Sequence, residues 1–113
     1  MDYAEYLPHI DVEDGKARIM GNMQLYKKLL KRFNGKQLID SLLEVMDAGD
    51  MEQVYAQAHA LKGVAGNLSF SVLREVVFEI EKRCKAKMDL TCMRRPLLDS
   101  WEVLEGMIKK IVE

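Results

Sequence analysis

The chain is poor in the residues that build metal centres and disulfide frameworks. It has two cysteines, Cys84 and Cys92, and two histidines, His9 and His59, in 113 residues. Neither cysteine belongs to a Cys-x-x-Cys pair, so both are expected to be buried free thiols. Two histidines and two scattered cysteines make a poor metal set, and no metal is expected. Two prolines and seven glycines leave little material for linkers or low-complexity segments. There is no apolar run long enough to cross a bilayer. Met1–Tyr6 lacks the basic and apolar stretches of a secretory signal. Excess charge is also missing: Lys+Arg 17 against Asp+Glu 18 gives -1. That excludes the electropositive footprint of a nucleic-acid binder. Arg94-Arg95 and Lys109-Lys110 read as solvated helix surface. No glycine-rich nucleotide loop is present, so kinase chemistry is not expected. These absences suit a cytoplasmic protein with reduced thiols and neither a membrane nor a nucleic-acid partner.

What is present is helical periodicity over a single domain spanning residues 1–113, with residues 1–9 as an N-terminal arm. Asp11 can cap a first helix whose next turn is acidic (Glu13, Asp14). Gly21-Asn22 breaks it, and Asn22 can cap a second carrying Leu25, Leu29 and Phe33 at helical spacing. Asn34-Gly35 marks a break or kink before a segment with Leu38, Ile39, Leu42, Leu43, Val45 and Met46. Gly49 suits the left-handed position after a helix end. Asp50 with Gln53 forms a capping box for the next helix, which runs to about Leu68. Ser69 or Ser71 can cap the helix with the stripe Leu73, Val77, Ile80 and Cys84. After a loop near 88–91, Pro96 fits the first turn of a last helix with Leu97, Trp101, Leu104, Ile108 and Ile111 on one face. Short connections favour antiparallel neighbours. The expected fold is all-α: an antiparallel four-helix bundle with one or two short N-terminal helices capping one end, the second and third segments being separate or one kinked helix. One complete set of apolar stripes suits a monomer.

The informative helix is the one around His59. At about 100° per residue, Val54, Ala58, Leu61, Ala65 and Leu68 share one face. His59 lies roughly 140° from the centre of that face and is expected to be exposed. Tyr55, Lys62, Gly63 and Gly66 lie near it. A free imidazole titrates near 6.5, so its neutral form is a competent nucleophile at pH 7. Lys62, one turn on, can reach a phosphoryl group on the ring and offset its charge. Gly63 and Gly66 remove side chains that would keep a second protein from the ring, and Tyr55 can add contact surface. No acidic residue precedes His59 by three or four positions, and no general-base partner is visible. Spacing leaves another arrangement open, in which Lys62-Gly63 ends the helix and Gly66-Asn67 is a turn.

The stretch Ala58-His-Ala-Leu-Lys-Gly-Val-Ala-Gly-Asn-Leu68 resembles the signature of histidine-containing phosphotransfer (HPt) domains, His-x-Leu-Lys-Gly-x-Ala. Met20-Gly-Asn-Met-Gln-Leu-Tyr-Lys-Lys-Leu-Leu-Lys-Arg-Phe33 is similar to that family's glycine-bearing turn and following helix, and Ala48-Gly-Asp50 to its junction before the histidine helix. These matches cover roughly the first two thirds of the chain; the last third matches only in being helical. The family often has glycine and a small residue where this chain has Ser69-Phe70. The resemblance implies that His59 is phosphorylated, that Lys62 stabilises the phosphate, and that Gly63, supported by Gly66, allows close approach. It implies a phosphoryl carrier without autokinase activity. Its partners would be response-regulator receiver domains or a hybrid sensor histidine kinase. It would have no cofactor of its own, since Mg²⁺ would come with the receiver. Met1 and the compact length suit a free-standing protein. Two other classes remain: a helical adaptor with His59 unmodified, and a bundle that binds metal or haem.

Overall fold

The computed structural model describes residues 3–113. Met1 and Asp2, the start of the expected N-terminal arm, lie outside the described residues. A 3-10 turn over Ala4–Tyr6 leads into α1 (Val12–Ala17), α2 (Met23–Arg32), α3 (Gly35–Ala48), α4 (Met51–Asn67), α5 (Ser71–Lys85) and α6 (Arg94–Val112), with a second 3-10 turn at Thr91–Met93. No strand occurs among the described residues.

Local chemistry sets most of the boundaries. Asp11 accepts from the Asp14 N–H at 3.1 Å and Asn22 from the Leu25 N–H at 3.0 Å, satisfying first-turn donors of α1 and α2. Gly49 takes φ 71° and ends α3. Asp50 accepts from the Gln53 N–H at 3.3 Å. The reciprocal half of the expected capping box is not made. The Asp50 N–H is already committed to the Val45 carbonyl at 3.1 Å, closing the end of α3.

Helices α3 to α6 form a ring in which α3 packs on α4, α4 on α5, α5 on α6 and α6 again on α3. The particle measures 43 × 23 × 21 Å, as expected for a bundle of long helices. Val54, Ala58, Leu61 and Ala65 from α4 meet Leu73, Val77, Ile80 and Cys84 from α5 in the core. Leu97, Trp101, Leu104 and Ile111 of α6 are buried as well, with Ile108 packed against them. Gly35 is more than a break. A Cβ there would collide with the Trp101 indole, so the ring sits directly on the start of α3.

Cys84 is buried as expected but Cys92 is exposed, and three further expectations are corrected. First, α2 is separate from α3, and its buried face is Tyr26 and Leu30, whereas Leu25 is exposed. Tyr26 sets that rotation, because its hydroxyl donates to the Leu68 carbonyl at 2.7 Å and its ring rests against Gly15. Second, neither Ser69 nor Ser71 caps α5: Phe70 holds the cap position without a side-chain bond. Ser69 instead takes φ 61°, the left-handed region that glycine enters more easily, and its Oγ donates to Asp14 Oδ2 at 2.5 Å. The Ser69-Phe70 departure therefore leaves the end of α4 intact and ties it to α1. Phe70 is buried against Phe33, with ring centroids 5.1 Å apart. Third, the segment before α1 is not a free arm, since Tyr6 and Ile10 are in the core.

Candidate functional site

Helix α4 is continuous through Lys62, Gly63 and Gly66 to Asn67, which excludes a cap at Lys62-Gly63. The face opposite its buried stripe carries His59, whose side chain is 62% exposed. Tyr55, one turn earlier, stacks beside the imidazole with centroids 6.0 Å apart and planes 10° from parallel. The Lys85 ammonium lies 5.6 Å from the centre of the Tyr55 ring, on the far end of α5.

The residue that organises the site comes from α5. Glu81 Oε1 lies 3.3 Å from His59 Nδ1, and Glu81 Oε2 lies 2.9 Å from Lys62 Nζ. The Glu81 side chain is only 8% exposed and Lys62 21%. Burial by itself pushes the Glu81 carboxyl up. The ion pair with Lys62 and the hydrogen bond with His59 outweigh that and hold it below the usual carboxylate range. Lys62 is further placed by the Phe78 ring, 4.9 Å from its ammonium, and Lys82 covers the same ring at 4.8 Å.

This arrangement has a chemical consequence. An ionised carboxylate only accepts, so the contact assigns a proton to His59 Nδ1. Nε2 then lies on the side of the ring away from Glu81, where a neutral imidazole would present its lone pair. Positive charge developing on the ring would be met by Glu81, and negative charge just outside it by Lys62. The partner that sequence reading did not find for His59 is thus supplied by tertiary structure, 22 residues along the chain. One signal was available. Glu81 sits four residues after Val77 and three before Cys84, on the apolar stripe of α5, where an isolated carboxylate is out of place.

The two glycines differ. A Cβ on Gly63 would meet nothing within 4 Å, leaving open space one turn from His59. A Cβ on Gly66 would stand 3.3 Å from Nε of Arg74, whose side chain already lies over that glycine. Gly66 is therefore covered from within the protein, not left bare as Gly63 is. Among the described residues no three His, Cys, Asp or Glu groups gather as a metal-binding set. No helix among them is long and apolar enough to cross a membrane.

The Hpt domain family model matches residues 34–113. The match includes the C-terminal third, where motif resemblance is weakest, and excludes α1 and α2. Comparison with curated proteins and with solved structures gives no match. Hpt domains are helical phosphotransfer intermediates of two-component phosphorelays. The family match, the all-helical bundle and a solvent-facing histidine joined through one carboxylate to a lysine agree: the chain belongs to the Hpt domain family.

Proposed function

We propose that this protein is a phosphoryl carrier that takes its group from a receiver domain's phospho-aspartate onto Nε2 of His59 and passes it to a second receiver. The observation that carries this reading is the contact of Glu81 with both His59 Nδ1 and Lys62 Nζ. It supports a ring held with Nε2 outward and unprotonated, next to a cation. In the forward step the Nε2 lone pair attacks phosphorus, and the phosphorus–oxygen bond to the aspartyl carboxylate breaks. The aspartate leaves as a carboxylate. The ring keeps its Nδ1 proton, and its new positive charge faces Glu81. No proton need be abstracted from Nε2, so no general base is required. Lys62 can swing part of its charge from Glu81 onto the phosphoryl oxygens. Gly63 lets the receiver's aspartate come within reach, and Tyr55 limits the ring's rotation. The reverse step returns the group by the same route. The Mg²⁺ that phospho-aspartate chemistry uses would arrive with the receiver.

The test is transfer from a phosphorylated receiver in the presence of Mg²⁺. Wild-type protein is expected to acquire an acid-labile, alkali-stable label, as a phosphoramidate does. His59→Gln is expected to lose the label while its circular dichroism remains helical. Label retained in His59→Gln would move the acceptor elsewhere. No label on the wild-type protein from any receiver would favour an unmodified adaptor.

A further inference from the structure

A polar cleft of about 410 Å³ opens beside His59 where the end of α4 meets α1 and α5. It runs from Lys62 and Gly63 past Gly66 to Arg18 and Arg74. It shares Lys62 and Gly63 with the phosphoryl site, so a protein docked over His59 would also cover this cleft.

Its cations are not equivalent. Lys62 is committed to Glu81 at 2.9 Å, and Arg18 to Asp14 at 3.0 Å. The ion pair of Arg74 is with its sequence neighbour Glu75 at 3.9 Å, both side chains being solvated. That distance is too long for a hydrogen bond. The Arg74 stem is nonetheless placed, because Nε and Cδ lie 3.3 and 3.5 Å from the point a Gly66 Cβ would occupy. A mid-helix glycine is disfavoured against alanine. At Gly63 the space gained is empty; at Gly66 it is bordered by the Arg74 side chain. The molecule thus seats a weakly engaged guanidinium on the same helix face as His59.

We propose that Arg74 is a specificity-determining contact, pairing with a carboxylate on the surface of the receiver domain that docks over His59. This rests on the carrier reading above. The carboxylates that bind Mg²⁺ at a receiver's phospho-aspartate are taken by the metal but make that face acidic, and Arg74, beside Gly66 about two helical turns from His59, would meet a carboxylate at its rim. The planar guanidinium can engage such a carboxylate through two parallel bonds. The pairing lies outside the reacting atoms, so it governs which receiver docks and how tightly, not the transfer step.

The experiment measures transfer from a phosphorylated receiver that labels the wild-type protein, over a range of receiver concentrations. Arg74→Glu is expected to raise KM on the order of ten-fold through like-charge juxtaposition. Its kcat should stay within about two-fold, and its phosphohistidine lifetime without receiver should be unchanged. Arg95→Glu makes the same change of net charge on a side chain that is 82% exposed on α6, and should leave KM alone. Gly66→Ala, whose methyl presses on the Arg74 stem, should raise KM slightly in the wild-type background and add nothing in Arg74→Ala. An unchanged KM in Arg74→Glu overturns the proposal. So does an equal rise in Arg95→Glu, which would reduce the effect to net charge, or a loss confined to kcat. Failure of every receiver to label the wild-type protein would sink the carrier reading itself, and this inference with it.

Discussion

Asp14 and Glu81 both tie their own helix to a distant part of the chain through polar contacts, and they do opposite things. Asp14 on α1 accepts from Ser69 Oγ at 2.5 Å and from Arg18 Nε at 3.0 Å. Glu81 on α5 contacts His59 and Lys62 across the α4–α5 seam. Both carboxyls are held below their usual range, Asp14 by the Ser69 hydrogen bond first and then by Arg18. The difference lies in the donors and in which partner is exposed. At Asp14 the carboxylate itself is half in solvent and its hydroxyl donor is chemically inert, so the contact is a staple. At Glu81 the carboxylate is buried and the imidazole is outside. Structural restraint is therefore exerted from within on an imidazole that stays open to solvent.

The sharpest way to break this contrast is to remove the buried carboxylate. Glu81→Ala frees the imidazole and leaves Lys62 unpaired. Transfer to His59 is expected to fall roughly 100-fold, as a small misplacement of reacting groups allows. The fold should lose about 1–2 kcal/mol, less than for a fully buried pair because His59 and Lys62 reach solvent. Glu81→Gln keeps an acceptor for Nδ1–H and should retain most of the rate. Stopped transfer kinetics with a phosphorylated receiver, alongside chemical denaturation, check both; equal rates in Glu81→Ala and wild type would reduce Glu81 to a structural residue.

Next in size is Lys62→Ala, expected to slow transfer or shorten the phosphohistidine lifetime on the order of ten-fold. Lys62→Arg should be milder without being neutral, since the fork cannot reproduce the ammonium's contact with Glu81 Oε2. Unchanged kinetics in Lys62→Ala would make Lys62 a partner of Glu81 only.

At the staple the effects should appear in stability alone. Ser69→Ala loses the Asp14 bond while keeping a left-handed backbone, and should lower stability. Ser69→Gly relieves the backbone as it loses the bond, and should be closer to neutral. Neither should alter transfer, and a slowed rate in Ser69→Gly would show that the two carboxylate clusters are coupled. At the bare glycine, Gly63→Ala should gain up to about 1 kcal/mol, because α4 is helical there and a methyl group meets open space. Gly63→Gln should keep the fold and impair transfer by holding the receiver away.

The smallest effect is the pH dependence of stability. A carboxyl whose folded pKa is depressed stabilises the native state above its unfolded pKa. That contribution is lost as pH falls through the folded value. Both Asp14 and Glu81 act in this direction, so stability should decline on acidification below the ordinary carboxylate range. Glu81→Gln should flatten part of that decline; an unaltered acid profile in Glu81→Gln would mean the carboxyl titrates alike in both states.

Much of this was legible along the chain because it depends on neighbours three or four residues apart. The caps at Asp11, Asn22 and Asp50, the left-handed Gly49, and the stripes of α4, α5 and α6 are such features. The exposed His59 with Tyr55, Lys62 and Gly63 on its face follows from the same 3.6-residue period. The apolar spacing of α2 misled at Leu25, which is exposed while Leu29 and Phe33 pack against the core beside the buried Tyr26 and Leu30. The choice was made by a bond to Leu68, 42 residues away. The serines before α5 also misled, because Asp14 competes for the Ser69 hydroxyl across 55 residues.

The sequence by itself determined which segments are helices, the caps that open α1, α2 and α4, and which face of a continuous α4 meets solvent, because backbone hydrogen bonding and apolar periodicity act locally. Only the tertiary structure decided that Glu81 faces His59 and Lys62, that Arg74 covers Gly66, and that Gly35 receives Trp101. Each of those depends on the rotation and register of one helix against another. Those are set by the packing of the whole core, to which no single stretch of the chain has access.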